Sequence, residues 1–448
     1  MEHSPAGIAA DLRGTYRARR DRVFQLLGSE GALILAAAPE IVIGRDTELR
    51  YVRDAELLYL TGYAEPEAVA VFVPGKDEQP FTLFVRPRDP AREQWTGMRG
   101  GTEAAVAQFG AAAAYPIAEL GERLPTLLTD IDVVYARLDA TRPNVEGAIR
   151  RVLEHGRRSR ARTGKGAHTL IDPGLLLDEL RIIKDQHEIT MLRQAARLSV
   201  DGFCRAAGLI KPGIGEWQIE AAIEAEFRAQ GADGSAFPSI IASGANATVL
   251  HYISNDQVMQ AGELLLIDAG ARYRGYCGDI SRTFPVNGRF SAAQRDLYDG
   301  VLRAHDAAVA AVRPGATIDQ IHDAAQHQLI EVLRDLGAVE PNADPQASEP
   351  ANCKTYIPHK TSHWLGLEVH DVGAYTFRSG PRSLEPGMVL TIEPGLYLPA
   401  AESKVSAELR GTGIRIEDDI LVTPEGFEVL TAALPTRVAE IEALMGQS

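Results

Sequence analysis

The chain has 448 residues, which is too long for one hydrophobic core and suits two or three domains. Hydrophobic residues make up 45% of the chain and charged residues 24%, the balance of an ordinary folded globular protein. The formal net charge of -15 at pH 7 argues against a nucleic-acid partner, because an acidic surface does not neutralise phosphates.

The cysteines and the N-terminal residues bear on the cellular compartment. The three cysteines, Cys204, Cys277 and Cys353, are odd in number and far apart, so they offer no disulfide framework and suit a reducing cytosol. The N-terminal residues lack the basic-then-apolar pattern of a signal peptide, and no apolar run is long enough to span a bilayer. We therefore expect a cytoplasmic protein with no membrane partner.

Helical and strand patterns alternate over roughly the first 170 residues. Residues 14–27 and a stretch that begins at Thr102 predict helices. Apolar runs predict buried strands at residues 32–37, 41–43, 68–73, 81–85 and 133–135. This alternation predicts a small α/β domain, and its residue spacing shows no grouping of chemically active side chains.

The pattern changes near Leu180, where a long helical stretch begins and continues to about Leu209. We place the domain boundary just before this helix. The chain is thus predicted to consist of domains 1–178 and 179–448.

The second domain has an internal repeat. Residues Lys211–Ile219 and Arg313–Ile321 share one pattern around a Pro-Gly pair, and a strand-rich segment follows each copy. Each copy would end one helix and begin another. A chance match is the alternative; a true repeat predicts two similar halves packed about a pseudo-two-fold axis, with a site between them.

Three of the eleven histidines lie in the short segment Pro358–Asp371: His359, His363 and His370. Imidazole is the commonest side chain for binding metals and for moving protons near neutral pH. The alternation from Leu365 to His370 predicts a strand, so we expect loop and strand here and not a zinc-binding helix. Taken alone, the segment is equally compatible with a histidine-rich surface loop.

Two carboxylates stand close together before this segment. Asp268 ends an apolar strand that begins near Gly262, and Asp279 follows after a turn. A hairpin would bring the two side chains together. Because burying two carboxylates without a counter-charge is very costly, a cation or a shared proton must stabilise the pair.

The second half supplies two further carboxylates. Glu393 ends an apolar strand and Glu417 lies inside another, in which Arg415, Glu417 and Asp419 would share one face. Any one acid could be an exposed strand-end residue, but four of them on apolar strands are hard to explain in that way. With His363 they supply one nitrogen and four carboxylates. This set suits Mn²⁺, Fe²⁺, Co²⁺ or Zn²⁺, and its charge suits two ions.

These residues resemble the proline-specific metallopeptidases of the pita-bread fold, aminopeptidase P and prolidase. The segment His359–Asp371 fits the family signature H-x-x-S-H-x-x-G-x-x-x-H-D. Residues that match the family's five metal ligands in type and order are Asp268, Asp279, His363, Glu393 and Glu417. Tyr59–Ala68 and Glu93–Arg99 resemble the family's N-terminal domain. One departure is Lys360, where bacterial relatives usually have a small residue.

The resemblance implies a mixed α/β (α+β) fold, with a small α/β N-terminal domain followed by a pita-bread catalytic domain. It implies two divalent metal ions, manganese being expected and zinc, cobalt or iron being alternatives. Asp268 would bind one ion, and Asp279 and Glu417 would bridge both. His363 and Glu393 would complete the ligand set, with Glu393 also close to the attacking water.

The resemblance also assigns residues around the metals. His251 and His370 would hold the substrate and the reaction intermediate, and His359 would line the proline pocket. Arg415 would take part in catalysis by keeping the neighbouring carboxylates ionised, and Tyr397 would lie beside it and contact the substrate. Plain packing is the alternative for each of these residues.

The resemblance implies hydrolysis of Xaa-Pro bonds. Our first hypothesis is an Xaa-Pro aminopeptidase, which releases the first residue of peptides that have proline second. Trp95 would cap the pocket of a neighbouring subunit, so a homo-oligomer, a dimer or tetramer, is expected. The alternative is prolidase, which is restricted to dipeptides. A second, remote alternative is a metal-free pita-bread binding module, but modules of that kind have lost metal ligands and this chain has all five. Methionine aminopeptidase shares the ligands but is not expected to have this first domain.

Overall fold

The computed structural model describes residues 12–76, 78–139, 141–339 and 353–446. The contacts within the chain separate it into two units, Met1–Leu180 and Arg181–Ser448. Within the described ranges, no helix combines the length and the apolar character that crossing a membrane requires.

The first unit contains a six-stranded sheet and several helices. The helices are α1 (Leu12–Leu27), α2 (Ala55–Thr61), α3 (Pro90–Thr96), α4 (Gly101–Ala107), α5 (Leu120–Leu127), α6 (Pro143–Thr163) and α7 (Gly174–Ile182). The strands are β1 (Gly31–Ala36), β2 (Val42–Ile43), β3 (Thr47–Glu48), β4 (Val69–Phe72), β5 (Phe81–Val85), β6 (Ala113–Pro116), β7 (Val133–Tyr135) and β8 (Thr169–Ile171). The sheet order is β6-β5-β4-β1-β7-β8.

The core of this unit lies between one face of the sheet and helices α5 and α6. Alternate residues of the strands, such as Ala32 and Ile34 on β1, pack with Leu124 of α5 and Ile149 of α6. This is the arrangement that period-two and period-3.6 patterns produce when a sheet and helices share a core.

The predicted burial of one strand in this unit is wrong. Residues 41–43 were expected to be buried, but Val42–Ile43 pairs with Thr47–Glu48 in a two-stranded ribbon. Ile41 is 60% exposed and Val42 54% exposed. A run of three apolar residues is too short to show which layer covers it, and in the described part of the chain this run stays largely exposed.

The second unit is built from long helices and small antiparallel sheets. Its helices are α8 (Gln186–Ala207), α9 (Glu216–Ala229), α10 (Ala292–Ala311), α11 (Ile318–Asp335) and α12 (Val438–Met445). Its strands are β9 (Gly234–Ser235), β10 (Ile240–Ser243), β11 (Leu264–Ala269), β12 (Ala271–Tyr273), β13 (Tyr276–Cys277), β14 (Ile280–Pro285), β15 (Thr376–Phe377), β16 (Gly380–Pro381), β17 (Val389–Ile392), β18 (Gly395–Leu398), β19 (Thr412–Arg415), β20 (Asp418–Thr423) and β21 (Gly426–Val429).

The internal repeat corresponds to two helix pairs, α8–α9 and α10–α11. Each pair is joined at a Pro-Gly turn, where Gly213 has φ of 87° and Gly315 has φ of 84°. These positive angles are ones that glycine adopts without a steric penalty. The helix pairs pack on the sheets β10-β11-β14 and β17-β20-β21 to form one continuous core.

Candidate metal centre

The first half of the second unit places two carboxylates side by side. β11 and β14 pair antiparallel, with Asp268 opposite Ser281. Asp279 directly precedes β14, so it lies next to Asp268 at the same end of the pair. The short strands β12 and β13 occupy the connection and join β9 in a separate sheet.

The second half places its two carboxylates by the same kind of pairing. β17 and β20 are antiparallel, with Ile392 opposite Asp418, so Glu393 and Glu417 flank neighbouring strand ends. Glu417 was predicted to lie inside a strand, and this is wrong: the chain leaves β19 after Arg415 and enters β20 at Asp418. The break occurs because β19 pairs with β18 whereas β20 pairs with β17.

His363 is positioned by a loop that runs beside β17. The Thr391 amide donates to the His363 carbonyl at 2.9 Å, and the Glu393 amide donates to the Thr361 carbonyl at 2.8 Å. The strand predicted for residues 365–370 is absent, because the loop turns back on itself. Its backbone groups bond within the loop, as when the Asp371 amide donates to the Trp364 carbonyl at 2.9 Å.

The predicted ligands come together around one open cavity of about 590 Å³. Ligand atoms of Asp279, His363 and Glu417 all lie within 4.8 Å of one another. His363 Nε2 lies 3.5 Å from Asp279 Oδ2 and 3.6 Å from Glu393 Oε1. Asp268 lines the same cavity, with Oδ2 bound by Arg415 at 2.6 Å.

The residues present fit a divalent metal site. Asp268 Oδ1 is buried and accepts no hydrogen bond from the described residues. Burial and the neighbouring carboxylates raise the pKa of Asp279 and of Glu417 well above their usual values. Burial also raises the pKa of Glu393, to about 7. Such a group of acids is what bound cations would stabilise, because a cation favours the ionised form of each carboxylate.

These shifts predict the pH dependence of the metal-free protein. A carboxyl group whose folded-state pKa is raised contributes stability below its unfolded pKa and loses it as pH rises through the folded value. The unfolding temperature with EDTA is therefore expected to fall as pH rises from about 4.5 to about 7, the window of Glu393. Added manganese should raise that temperature more at the upper end of the window. A metal-free unfolding temperature that rises across the window would contradict the prediction.

Arg415 connects the carboxylates through hydrogen bonds. Its guanidinium donates to Asp268 at 2.6 Å, to Ser281 Oγ at 2.8 Å and to the Tyr397 hydroxyl at 2.7 Å. Ser281 Oγ in turn donates to Glu417 Oε2 at 2.8 Å. Ser281 was not singled out from the sequence, although it lies two residues after Asp279 and so shares its strand face. These bonds fix the orientation of two of the ligands.

The three histidines assigned to substrate all line the cavity. Burial and the Arg415 charge lower the pKa of His359 to about 4. His359 Nε2 lies 2.8 Å from the Tyr397 hydroxyl. Burial and His363 lower the pKa of His370, and the rings of these two histidines meet edge to face at 4.4 Å. Both are therefore neutral near pH 7.

The lining of the cavity differs in part from the set of residues that the sequence predicted. An apolar wall that the sequence did not reveal consists of Phe237, Pro238, Ile240, Leu250, Ile253 and Val369. Val369 lies within the segment His359–Asp371, at a position that the signature leaves open, and only the tertiary structure shows that these six residues line one cavity. Tyr397, which was assigned to substrate, is buried and does not belong to the cavity lining; its hydroxyl lies 2.8 Å from His359 Nε2 instead. Trp95 belongs to the first unit and is 87% exposed, so its predicted role in a neighbouring subunit stays a prediction.

Comparison with known proteins gives consistent matches along the chain. Residues 190–424 match metallopeptidase family M24, and residues 16–135 match the N-terminal domain of aminopeptidase P. The Xaa-Pro aminopeptidase of Escherichia coli is 38% identical, over 97% of this chain and 98% of that protein. Human Xaa-Pro aminopeptidase 3 is 33% identical, over 97% of this chain and 86% of that protein.

Solved structures agree with these matches. Pseudomonas aeruginosa aminopeptidase PepP superposes with a TM-score of 0.92 at 40% identity, over 98% of this chain and 99% of that one. A variant of Escherichia coli aminopeptidase P in complex with substrate gives a TM-score of 0.90 at 37% identity, over 98% and 99% of the two chains. The zinc-substituted Escherichia coli enzyme in complex with product gives 0.91 at 37% identity, with the same coverage.

Proposed function

This chain belongs to metallopeptidase family M24 and has the N-terminal domain of aminopeptidase P, and on that premise we propose that it is an Xaa-Pro aminopeptidase. Its reaction is the release of the first residue from peptides that have proline second. The observation that supports this most is the convergence of Asp279, His363 and Glu417 within 4.8 Å in a substrate-sized cavity. A binding module that has lost its metal ligands would not retain this set.

The enzyme uses divalent metal ions, as the family does, and we propose two manganese ions. Manganese fits a set of four carboxylates and one imidazole, and zinc, cobalt and iron are the other outcomes of a metal analysis. The chemistry that such ions supply in this site is a water of lowered pKa and a polarised peptide carbonyl.

The side chains of this chain perform the remaining chemistry. Glu393, with a pKa raised to about 7, is suited to take a proton from the attacking water at neutral pH. His359 Nδ1 donates to the Lys360 carbonyl at 2.8 Å, and Nε2 lies 2.8 Å from the Tyr397 hydroxyl, so these two bonds fix the ring beside Glu393. His370, which is neutral, and His251 both line the cavity and can serve as hydrogen-bonding groups for the peptide.

The cavity also explains a preference for proline. A bond before proline has no N–H group, so a peptidase cannot use that donor to position its substrate. The apolar wall formed by Phe237, Pro238, Ile240, Leu250, Ile253 and Val369 binds a pyrrolidine ring by burial instead. We propose that this wall, close to His359, is the proline pocket.

Prolidase activity is the second candidate, and Lys360 is the observation in its favour. A dipeptidase needs a positive group for the carboxylate of the dipeptide. Lys360 lines the cavity and is exposed, and its ammonium group forms no ion pair with the part of the chain that is described. Arg415, the other Lys or Arg side chain of the lining, is already bound to Asp268.

A comparison of two substrates distinguishes the activities. The metal-loaded enzyme is expected to hydrolyse Ala-Pro-Ala with a kcat/KM at least about tenfold above that of Ala-Pro, a difference of about 1.4 kcal/mol. The reason is that the carboxylate of a dipeptide directly follows the proline and would be carried into the apolar part of the cavity, where a charge is costly to bury. Lys360→Met should widen the difference, because the dipeptide loses the lining cation that has no ion-pair partner among the described residues. A preference for Ala-Pro would assign the chain to the dipeptidases.

Two further properties are proposals. Trp95 and Met98 are exposed by 87% and 72%, and we propose that this surface contacts a second copy of the chain in a homo-oligomer. Light scattering tests this contact by measuring molar mass. A lower molar mass for Trp95→Ala than for the wild type would support the proposed interface, and an unchanged molar mass would contradict it. We also propose a cytoplasmic location, supported by three cysteines that form no disulfide.

A further inference from the structure

His251 is held in the cavity only by the loop to which it belongs. This loop, residues 244–258, follows β10 and begins with a 3₁₀ helix at Gly244–Thr248. The His251 side chain lines the cavity but makes no hydrogen bond or ion pair with the described residues. Its position therefore depends on how firmly the loop backbone is fixed.

One buried carboxylate binds groups on both sides of His251. Glu216, at the first position of α9, has no exposed surface and does not line the cavity. Its Oε1 accepts hydrogen bonds from the Ser243 amide at 2.7 Å, Ser243 Oγ at 2.7 Å and Asn246 Nδ2 at 3.3 Å. Its Oε2 accepts from the Tyr252 hydroxyl at 2.8 Å and the Gln257 amide at 2.9 Å.

All five donors of this cluster belong to residues 243–257, and they lie on both sides of His251. A second anchor is the buried Asn255, which accepts from the Ile241 amide at 3.0 Å and donates to the Ser239 carbonyl at 2.8 Å. Asn255 has φ of 47°. The loop is thus tied to α9 through Glu216 and to β10 through Asn255.

We propose that Glu216 is a positioning residue for His251 in the reaction. This proposal rests on the proposed function: Glu216 fixes the loop so that the His251 side chain contacts the bound substrate. An acceptor is needed at both carboxylate oxygens, because Oε1 faces the Ser243 amide and Oε2 faces the Gln257 amide, and a backbone amide can only donate. A glutamine there would direct its amide protons at a donor on one side while nearly preserving the side-chain shape.

A double-mutant cycle tests the assignment with the full-length, manganese-loaded enzyme and Ala-Pro-Ala. Glu216→Gln is expected to lower kcat/KM about 10- to 100-fold, the usual effect of removing a residue that orients an active-site group. In the His251→Ala background the same substitution should lower kcat/KM less than about threefold, because the effects of two residues that act through one another are not additive. Manganese content should equal that of the wild type in all variants.

Two companion variants keep the test decisive. Tyr252→Phe removes one donor of the cluster and should show the same non-additive pattern with a smaller loss if Glu216→Gln fails to fold. Glu224→Gln is the same change at an exposed position of α9 and should leave kcat/KM unchanged. Equal losses in both His251 backgrounds, or a loss of manganese, would overturn the assignment. Wild-type enzyme that does not cleave Xaa-Pro peptides would instead overturn the proposed function.

Discussion

An Asp279→Ala variant is expected to lose peptide hydrolysis, with kcat/KM lowered by at least about a thousandfold, since the partners of metal ligands alone are typically worth 10- to 100-fold. Asp279 belongs to the cluster in which its ligand atom and those of His363 and Glu417 lie within 4.8 Å of one another. Its removal would take away one of these three groups and weaken metal binding. Activity on Ala-Pro-Ala and metal content by mass spectrometry would be measured together.

The fold of this variant should survive, and the reason lies in the raised pKa of Asp279. Burial and the charges of Asp268, Asp419 and Glu393 make its ionised form unfavourable without metal. Removing it relieves repulsion, so the metal-free variant should unfold at the same temperature as the metal-free wild type or higher. Asp296→Ala, an exposed acid on α10, is the matched control and should retain activity and metal. Wild-type turnover by the Asp279 variant would refute the metal centre.

An Asp371→Asn variant is expected to lose about 3–5 kcal/mol of unfolding free energy, the typical cost of breaking a buried ion pair. Asp371 accepts from Lys184 Nζ at 3.0 Å and from Arg181 at 2.5 Å, and all three side chains are at most 2% exposed. Lys184 would keep a buried charge without its carboxylate partner. Denaturant unfolding of the metal-free protein measures the loss.

The pH dependence of this variant gives a second measurement. Burial alone would raise the pKa of Asp371, but the charges of Lys184 and Arg181 hold it below its usual value. A carboxylate with a lowered pKa contributes stability above its unfolded pKa, and this is lost as pH falls through the folded value. The variant should therefore lose less stability on acidification than the wild type.

An exposed ion pair provides the control for this prediction. Arg193 and Glu428 approach to 2.6 Å, but their side chains are 44% and 39% exposed. Glu428→Gln should cost less than about 1 kcal/mol, as surface pairs do. Equal losses for Asp371→Asn and Glu428→Gln would show that burial does not govern the Asp371 pair.

The ligand positions could be predicted because they follow from local rules. An apolar run that ends in an acid indicates a buried strand with a carboxylate at its edge, and this holds for Asp268 and Glu393. Residues two apart on a strand share a face, which would have been enough to add Ser281. The five candidate ligands could be singled out from these local patterns and from the family resemblance, although Glu417 lies between two strands and not inside one.

The remainder of the site depends on contacts between distant segments. The loop around His363 takes its shape from backbone bonds to β17, so the alternation from Leu365 to His370 was misleading. Glu216 follows a glycine at the start of a helix, where an acid usually only stabilises the helix end. Its role in holding residues 243–257 becomes visible only when those residues fold over it.

The two halves of the second unit each supply part of the ligand set, and this constrains the order of events during synthesis. Ser281 and Glu417, which share a hydrogen bond in the finished site, are separated by 136 positions. A ribosome therefore releases the first pair of acids long before their partners emerge from its exit tunnel. A metal site that needs both halves would form only when translation is nearly complete. The core of this unit would form no earlier, because its residues come from both halves and extend to Ile441, so folding and enzymatic competence would be reached together.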